Sequence, residues 1–385
     1  MSDRGLWFKG DECVVATARQ TRFTTLDGIR GVAALSVVQY HSSDLFGIEL
    51  SSSYLAVDLF FMLSGIVLSH SYEQRMRAGL SLKSFILARA IRLYPLYVAG
   101  TLAGVAFFLA NHYLGHGTGS LVGLAPALAL GLLFLPTPAG WVLANTDVFP
   151  LLYPAWSLFF ELLVNLLYAV MLPVLSLRVL ILVIGFGAVL VVQSAFQFDG
   201  LNSGFNWSNF SGGFGRVIFS YFTGVLLVRF LPKWRGNGLC AATCVVALVL
   251  IFAAPMSGKY RVIFDLIVVL VVFPVLSFVS AASEGGAGLR QAFVFIGSLS
   301  YAVYTLHAPV LWWLRGIVPR ALGGVQLSQL SPLSGLCSII FLSLLAFMMD
   351  RCFDSPIRRR LTVWLHPQFR RLERSGSIGR ASEPM

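Results

Sequence analysis

What most limits the fold of this chain is a succession of apolar runs, each close to the length of a membrane crossing. They lie at about 27–47, 54–72, 92–113, 153–174, 178–196, 213–231, 239–255, 261–281, 291–315 and 333–353. A bilayer span needs about 20 mostly apolar residues as an α-helix. Composition agrees: 57% of the 385 residues are hydrophobic and 12% charged, with a mean hydropathy of +0.79. An ordinary soluble domain carries roughly twice that charged fraction. The expected fold is all-α, a polytopic membrane protein with about ten transmembrane helices.

Charge sets the orientation. Arg75, Arg77, Lys83, Arg89 and Arg92 follow the second run, Arg229, Lys233 and Arg235 the sixth, and Arg351, Arg358, Arg359 and Arg360 the last. Basic residues next to spans mark cytoplasmic loops. With the N-terminus inside, ten crossings put every cluster on the cytoplasmic side and return the C-terminus there. An eleventh apolar stretch, 121–136, holds Pro126 and Pro136. One full crossing there would move Lys233 and Arg235 outside, so 114–152 is read as an outer connection that dips in or lies on the surface. Two half-length crossings would satisfy the same parity.

The expected organisation is a cytoplasmic tail (1–24), a transmembrane domain (25–354) and a basic cytoplasmic tail (355–385). The polar first 24 residues lack the apolar core of a signal peptide. A net charge of +11 raises nucleic acid as a partner. The basic residues border apolar segments instead of gathering in a soluble domain, and membrane orientation accounts for them. The five cysteines follow no metal spacing, and no metal site is expected.

The first run nevertheless carries Asp27, Arg30 and His41. Eleven residues make three helical turns plus about 20°, so Arg30 and His41 share a face, with His41 about 16 Å further along. Ionisable groups facing hydrocarbon cost several kcal/mol, so that face points inward. Other spans repeat the pattern. Asp58 lies near the outer start of the second run, and Glu161 about 12 Å into the fourth, with Asn165 one turn on. Asp265 and His307 also fall in the outer halves of their spans. Glu161 and His41 are expected at similar depth, where a carboxylate would orient an imidazole and favour its protonated form. Such a pair could activate a hydroxyl for acyl transfer or serve a proton relay. Ser64 lacks the context of a hydrolase nucleophile and reads as a helix-packing residue. Arg89 and Arg92, at i and i+3, could grip phosphates bidentately or simply orient the third span.

Five strings, in order, resemble the acyltransferase 3 family of integral membrane O-acyltransferases: "LDGIRGVAALSVVQYH", "VDLFFMLSGIVLS", "RAIRLYPLY", "WSLFFE" and "GSLSYAVYTLH". The resemblance covers about residues 22–353. It implies transfer of acetyl or a related acyl group from coenzyme A to a hydroxyl, with no permanently bound cofactor. Arg30 and His41 match the family's Arg-ten-residues-His pattern, Arg89 and Arg92 its paired arginines, and Glu161 the acid ending its Trp-Ser-Leu motif. The resemblance implies a catalytic role for His41, assisted by Glu161 and Asp58, and donor recognition by Arg30, Arg89 and Arg92. The expected partners are acyl-CoA (acetyl-CoA first), a carbohydrate or other hydroxyl acceptor and the lipid bilayer. The expected location is a bacterial inner membrane. Some members append an extracytoplasmic hydrolase-like domain, and here a short tail is expected instead. A rival reading is a proton-coupled transporter or flippase for a glycan or small molecule, with His41, Glu161 and Asp265 as its relay.

The charge argument makes a direct prediction. Topology reporters fused after Arg235 and after Arg360 should report the cytoplasm, and one fused near Asn202 the outside. A cytoplasmic signal at Asn202 would overturn the ten-crossing arrangement.

Overall fold

The computed structural model describes residues 23–114, 121–141, 146–232 and 236–365. The expected N-terminal tail (apart from its last two residues), Lys233, Arg235 and the basic tail beyond 365 lie outside the described residues. Every apolar run became a helix. In chain order these are α1 (Thr24–His41), α2 (Ser53–Arg77), α3 (Leu82–Tyr113), a short α4 (Leu121–Leu132), α5 (Ala155–Val174), α6 (Leu177–Gln197), α7 (Gly212–Arg229), α8 (Gly238–Ala253), α9 (Gly258–Ala281), α10 (Ala287–Ala321) and α11 (Leu333–Leu365). The only β-structure among the described residues is two isolated bridges.

Among the described residues, seven helices are long and apolar enough to cross a membrane: α2, α3, α5, α6, α9, α10 and α11. The others fall short for physical reasons. α8 has 16 residues, while α1 and α7 have 18 each and carry the polar groups discussed below. Helix starts follow from local chemistry. Ser81, Ser176 and Asn237 accept backbone N–H groups at the starts of α3, α6 and α8, which satisfies donors that an α-helix leaves open.

α2 and α10 are the most enclosed of the spans, and α6 and α11 the most peripheral. α1 lies along α10, and α2 along α7, which in turn packs on α6. Small residues allow this. A Cβ at Gly65 of α2 would fall on the Tyr221 carbonyl, and one at Gly224 of α7 on the Met62 carbonyl. The two backbones therefore touch where both glycines face each other, as in close-packed membrane helices generally.

That contact sets Asp58 of α2 opposite Arg216 of α7, both fully buried. Arg216 Nη2 lies 2.6 Å from Asp58 Oδ2, and its Nε lies 3.1 Å from Oδ1. The remaining guanidinium donors reach the Ser203 carbonyl at 2.6 Å and the Tyr54 carbonyl at 3.0 Å, and the indole of Trp156 packs against the group. One arginine thus ties together α2, α5, α7 and the 197–212 connection.

Breaking a buried pair leaves an uncompensated charge, at a cost of about 3–5 kcal/mol. Arg216→Met should therefore destabilise the detergent-solubilised protein by about that amount, measured by chemical unfolding. Combining it with Asp58→Leu should recover most of the loss. A single variant as stable as the parent would show that the pair does not hold these helices together.

Candidate active site

The expected residues divide between two compartments. An inner cavity of about 200 Å³ lies among α1, α2, α3, α5 and α10. Arg30, Arg89, Arg92, Ser64 and Glu161 line it, with Ser157, Tyr301 and Tyr304 and an apolar remainder. An outer chamber of about 440 Å³ is lined by His41, His307, Tyr153, Trp312, Phe107, Phe108, Asp147 and Arg315. Between them lies a gap of about 30 Å³ that also touches His41.

The inner cavity gathers three guanidiniums. Arg89 and Arg92 both face it, because their i, i+3 spacing puts them on one side of α3. Arg92 stacks on the Tyr301 ring, 5.5 Å from its centroid. Arg30 is pinned to α10, with Nε donating to Ser300 Oγ at 2.9 Å and Nη2 to the Gly297 carbonyl at 2.9 Å, and it pairs with Asp27 at 3.0 Å. The Nε of Arg89 is buried and has no hydrogen-bond partner among the described residues. Leaving such a donor unsatisfied is costly, and an anion in the cavity would satisfy it.

Glu161 sits elsewhere than expected. Its Oε1 accepts from Arg89 Nη2 at 3.3 Å and from Ser64 Oγ at 2.9 Å, within the inner cavity. It lines neither space that His41 borders. Its carboxylate points toward Arg89 of α3 and Ser64 of α2, away from the spaces beside His41. Ser64 likewise faces the cavity; the packing residue is its neighbour Gly65. Asp58 has no exposed surface, and Arg216 engages both of its oxygens. Asp265 is also buried and committed, accepting from Tyr54 Oη at 2.7 Å and from the Leu201 N–H at 2.7 Å. It anchors the 197–212 connection, which folds back so that Asn202 and Phe205 border the gap beside His41. Asn165 is fully buried, and its amide has no hydrogen-bond partner among the described residues.

Packing places His41. Its ring meets the edges of Tyr40 and Tyr153 and stacks on His307, with centroids 5.2 Å apart and planes 26° apart. Arg315 of α10 donates to the His41 carbonyl at 3.1 Å and pairs with Asp44 at 2.6 Å, which fixes the C-terminal end of α1. Tyr304 and Val57 line both the inner cavity and the gap, so they form the wall between them. Tyr304 Oη and Ser157 Oγ lie 2.7 Å apart, which joins α10 to α5 across that wall.

Sequence reasoning missed Arg216, Tyr304, Ser157 and Trp312. Arg216 left one signal, a guanidinium in the middle of an apolar run. Tyrosine, serine and tryptophan left none, since they are ordinary residues of membrane helices.

The acyltransferase 3 family, described as an acyltransferase domain, matches residues 23–349. Similar proteins include "Protein 2 in picA locus" of Rhizobium radiobacter, 44% identical over 46% of this chain and 96% of the relative. The "Exopolysaccharide production protein ExoZ" of Rhizobium meliloti (strain 1021) is 24% identical over 89% of this chain and 99% of the relative. The "Acyltransferase MdmB" of Streptomyces mycarofaciens is 30% identical over 36% of this chain and 40% of the relative. No solved structure matches. The match across nearly all described helices selects an enzyme over a transporter. This chain belongs to the acyltransferase 3 family and is an integral membrane acyltransferase.

Proposed function

We propose that this enzyme moves an acyl group, acetyl first among the candidates, from acyl-CoA to a hydroxyl of a surface or exported polysaccharide. The observation that carries this reading is the layout of the two compartments. Three guanidiniums line one and two imidazoles the other, and a wall including Val57 and Tyr304 separates them. A donor with a phosphorylated head and a long thin arm suits such a path.

In this reading the phosphates meet Arg89 and Arg92 at the cytoplasmic side, with Arg30 along the arm. Planar guanidiniums bind phosphate oxygens in pairs, and the unsatisfied Arg89 Nε gains a partner. The thioester then reaches His41, which supplies the reacting nitrogen. Glu161 acts on the donor side by orienting Arg89, and Asp58 acts through Arg216 as a positioning residue. The acceptor occupies the outer chamber, whose Trp312, Phe107 and Tyr153 offer faces for sugar rings and whose Asp147 and Arg315 offer polar contacts. The name of the Rhizobium meliloti relative, which covers 89% of this chain, supports a polysaccharide acceptor. Ten crossings, both termini in the cytoplasm and a bacterial inner membrane complete the proposal, in which α1, α7 and α8, shorter than the seven longer spans, supply the other three crossings.

Two measurements test it. Arg89→Ala or Arg92→Ala should weaken acyl-CoA binding by about 10- to 100-fold, the worth of one charge-assisted hydrogen bond, with Arg→Lys recovering only part. Glu161→Gln should act in the same direction, raising the KM for the donor more than it lowers kcat. His41→Ala should abolish acylation of the polysaccharide, followed by mass spectrometry of surface glycans, at unchanged membrane abundance. Full acylation by the His41 variant would overturn the catalytic assignment, and unchanged donor binding by both alanine variants would leave the arginines as orientation signals alone.

A further inference from the structure

One buried titratable group in the outer chamber has no part in the mechanism above. His307 is 1% exposed, yet it borders both the gap and the chamber beside His41. Its two nitrogens differ. Nδ1 lies 2.6 Å from the carbonyl oxygen of Tyr304, one turn earlier in α10. A carbonyl can only accept, so in the neutral ring Nδ1 carries the proton and Nε2 holds the lone pair. That Nε2 is buried without a hydrogen-bond partner among the described residues. Leaving an acceptor unsatisfied is costly, and packing alone would place an apolar residue here more cheaply. The lone pair lies in the plane of a ring whose face stacks on His41.

We infer that the two histidines divide the reaction, with His41 as the nucleophile and His307 Nε2 as the base for the acceptor hydroxyl. This rests on the acyl-transfer reading of His41 proposed above. In the first half, a His41 nitrogen attacks the thioester carbonyl carbon; the C–N bond forms, the C–S bond breaks and coenzyme A leaves as its thiolate. The acylated ring is then a cation. In the second half, the acceptor oxygen attacks the same carbon; the C–O bond forms and the C–N bond breaks. The hydroxyl proton passes to His307 Nε2, and His41 returns to neutral imidazole. The imidazolium of His307 then releases its proton to the thiolate or to water. Two nearly parallel rings with centroids 5.2 Å apart suit this division, because one reacting carbon can lie against the first ring while the attacking oxygen faces the second. Asp147, the carboxylate lining the same chamber, is already drawn into the 197–212 connection, with the Asn206 amide 3.5 Å from its Oδ1.

The test uses His307→Asn in the full-length, detergent-solubilised enzyme. An asparagine amide can replace Nδ1–H toward the Tyr304 carbonyl, so the structural bond is retained while the Nε2 lone pair is lost. Two products are measured from acyl-CoA: the ester on a hydroxyl acceptor, and the hydroxamate formed when hydroxylamine replaces it. Hydroxylamine attacks an acyl-imidazole without needing a base. Ester formation should fall by about 10²- to 10⁴-fold, the usual contribution of general-base catalysis, while hydroxamate formation stays at the parent rate. His41→Ala should lose both products. Parent-level ester formation by His307→Asn, or a matched fall in both products, overturns the inference. If His41→Ala also made the ester normally, the acyl-transfer reading itself would fail, which is a separate and recognisable outcome.

Discussion

An ionisable group in a membrane helix must find a partner or a wet surface, because hydrocarbon offers neither. Much of this molecule follows from that constraint. Arg216 and Asp58 satisfy each other and draw α2 onto α7. Arg30 is absorbed by α10 through Ser300 and the Gly297 carbonyl, and the glycine at 297 lets α1 come close enough for that bond. Arg89 and Glu161 share one ion pair and border a cavity. Each polar group costs apolar surface, and each fixes a neighbour in return. The inner cavity and the outer chamber are the spaces left between the helices that these pairs hold in place.

The helical architecture was legible from hydrophobicity and length, since the ten apolar runs each became a helix. So was the inward face of α1, because an eleven-residue spacing between Arg30 and His41 puts both on one side. Arg89 and Arg92 share a cavity for the same kind of reason. What spacing cannot encode is the azimuth of one helix against another. Glu161 and His41 were expected to meet because counting along each span put them at similar depth. α5 turns Glu161 toward α2 and α3 instead, where Ser64 and Arg89 donate to it. Depth is a one-helix property, whereas adjacency belongs to a pair.

His307 was visible in the sequence as a polar residue in an outer half-span, but its importance lies in a distinction no sequence carries. One ring nitrogen is bonded to a carbonyl and the other is bare. Similarly, Tyr304 and Ser157 look like common residues of an apolar helix. Their meeting at 2.7 Å is what divides an inner cavity from an outer gap. Short-range pattern gives the elements; the chemistry depends on contacts between residues far apart in the chain, 72 positions for Arg89 and Glu161 and 147 for Ser157 and Tyr304.

The wall of Val57 and Tyr304 has a consequence for the cell as well as for the reaction. Polar compartments on both sides of a membrane, joined end to end, would form a pore and short-circuit the ion gradients that energise it. Here the two spaces are interrupted by an aliphatic side chain and a phenol held by a single hydrogen bond to a serine. Such a bond contributes about 1 kcal/mol net, little enough for thermal motion to break it around a slender substrate arm. Its closure behind that arm would keep the bilayer an insulator. In the proposed transfer, an acyl group would then cross while the membrane potential stays intact.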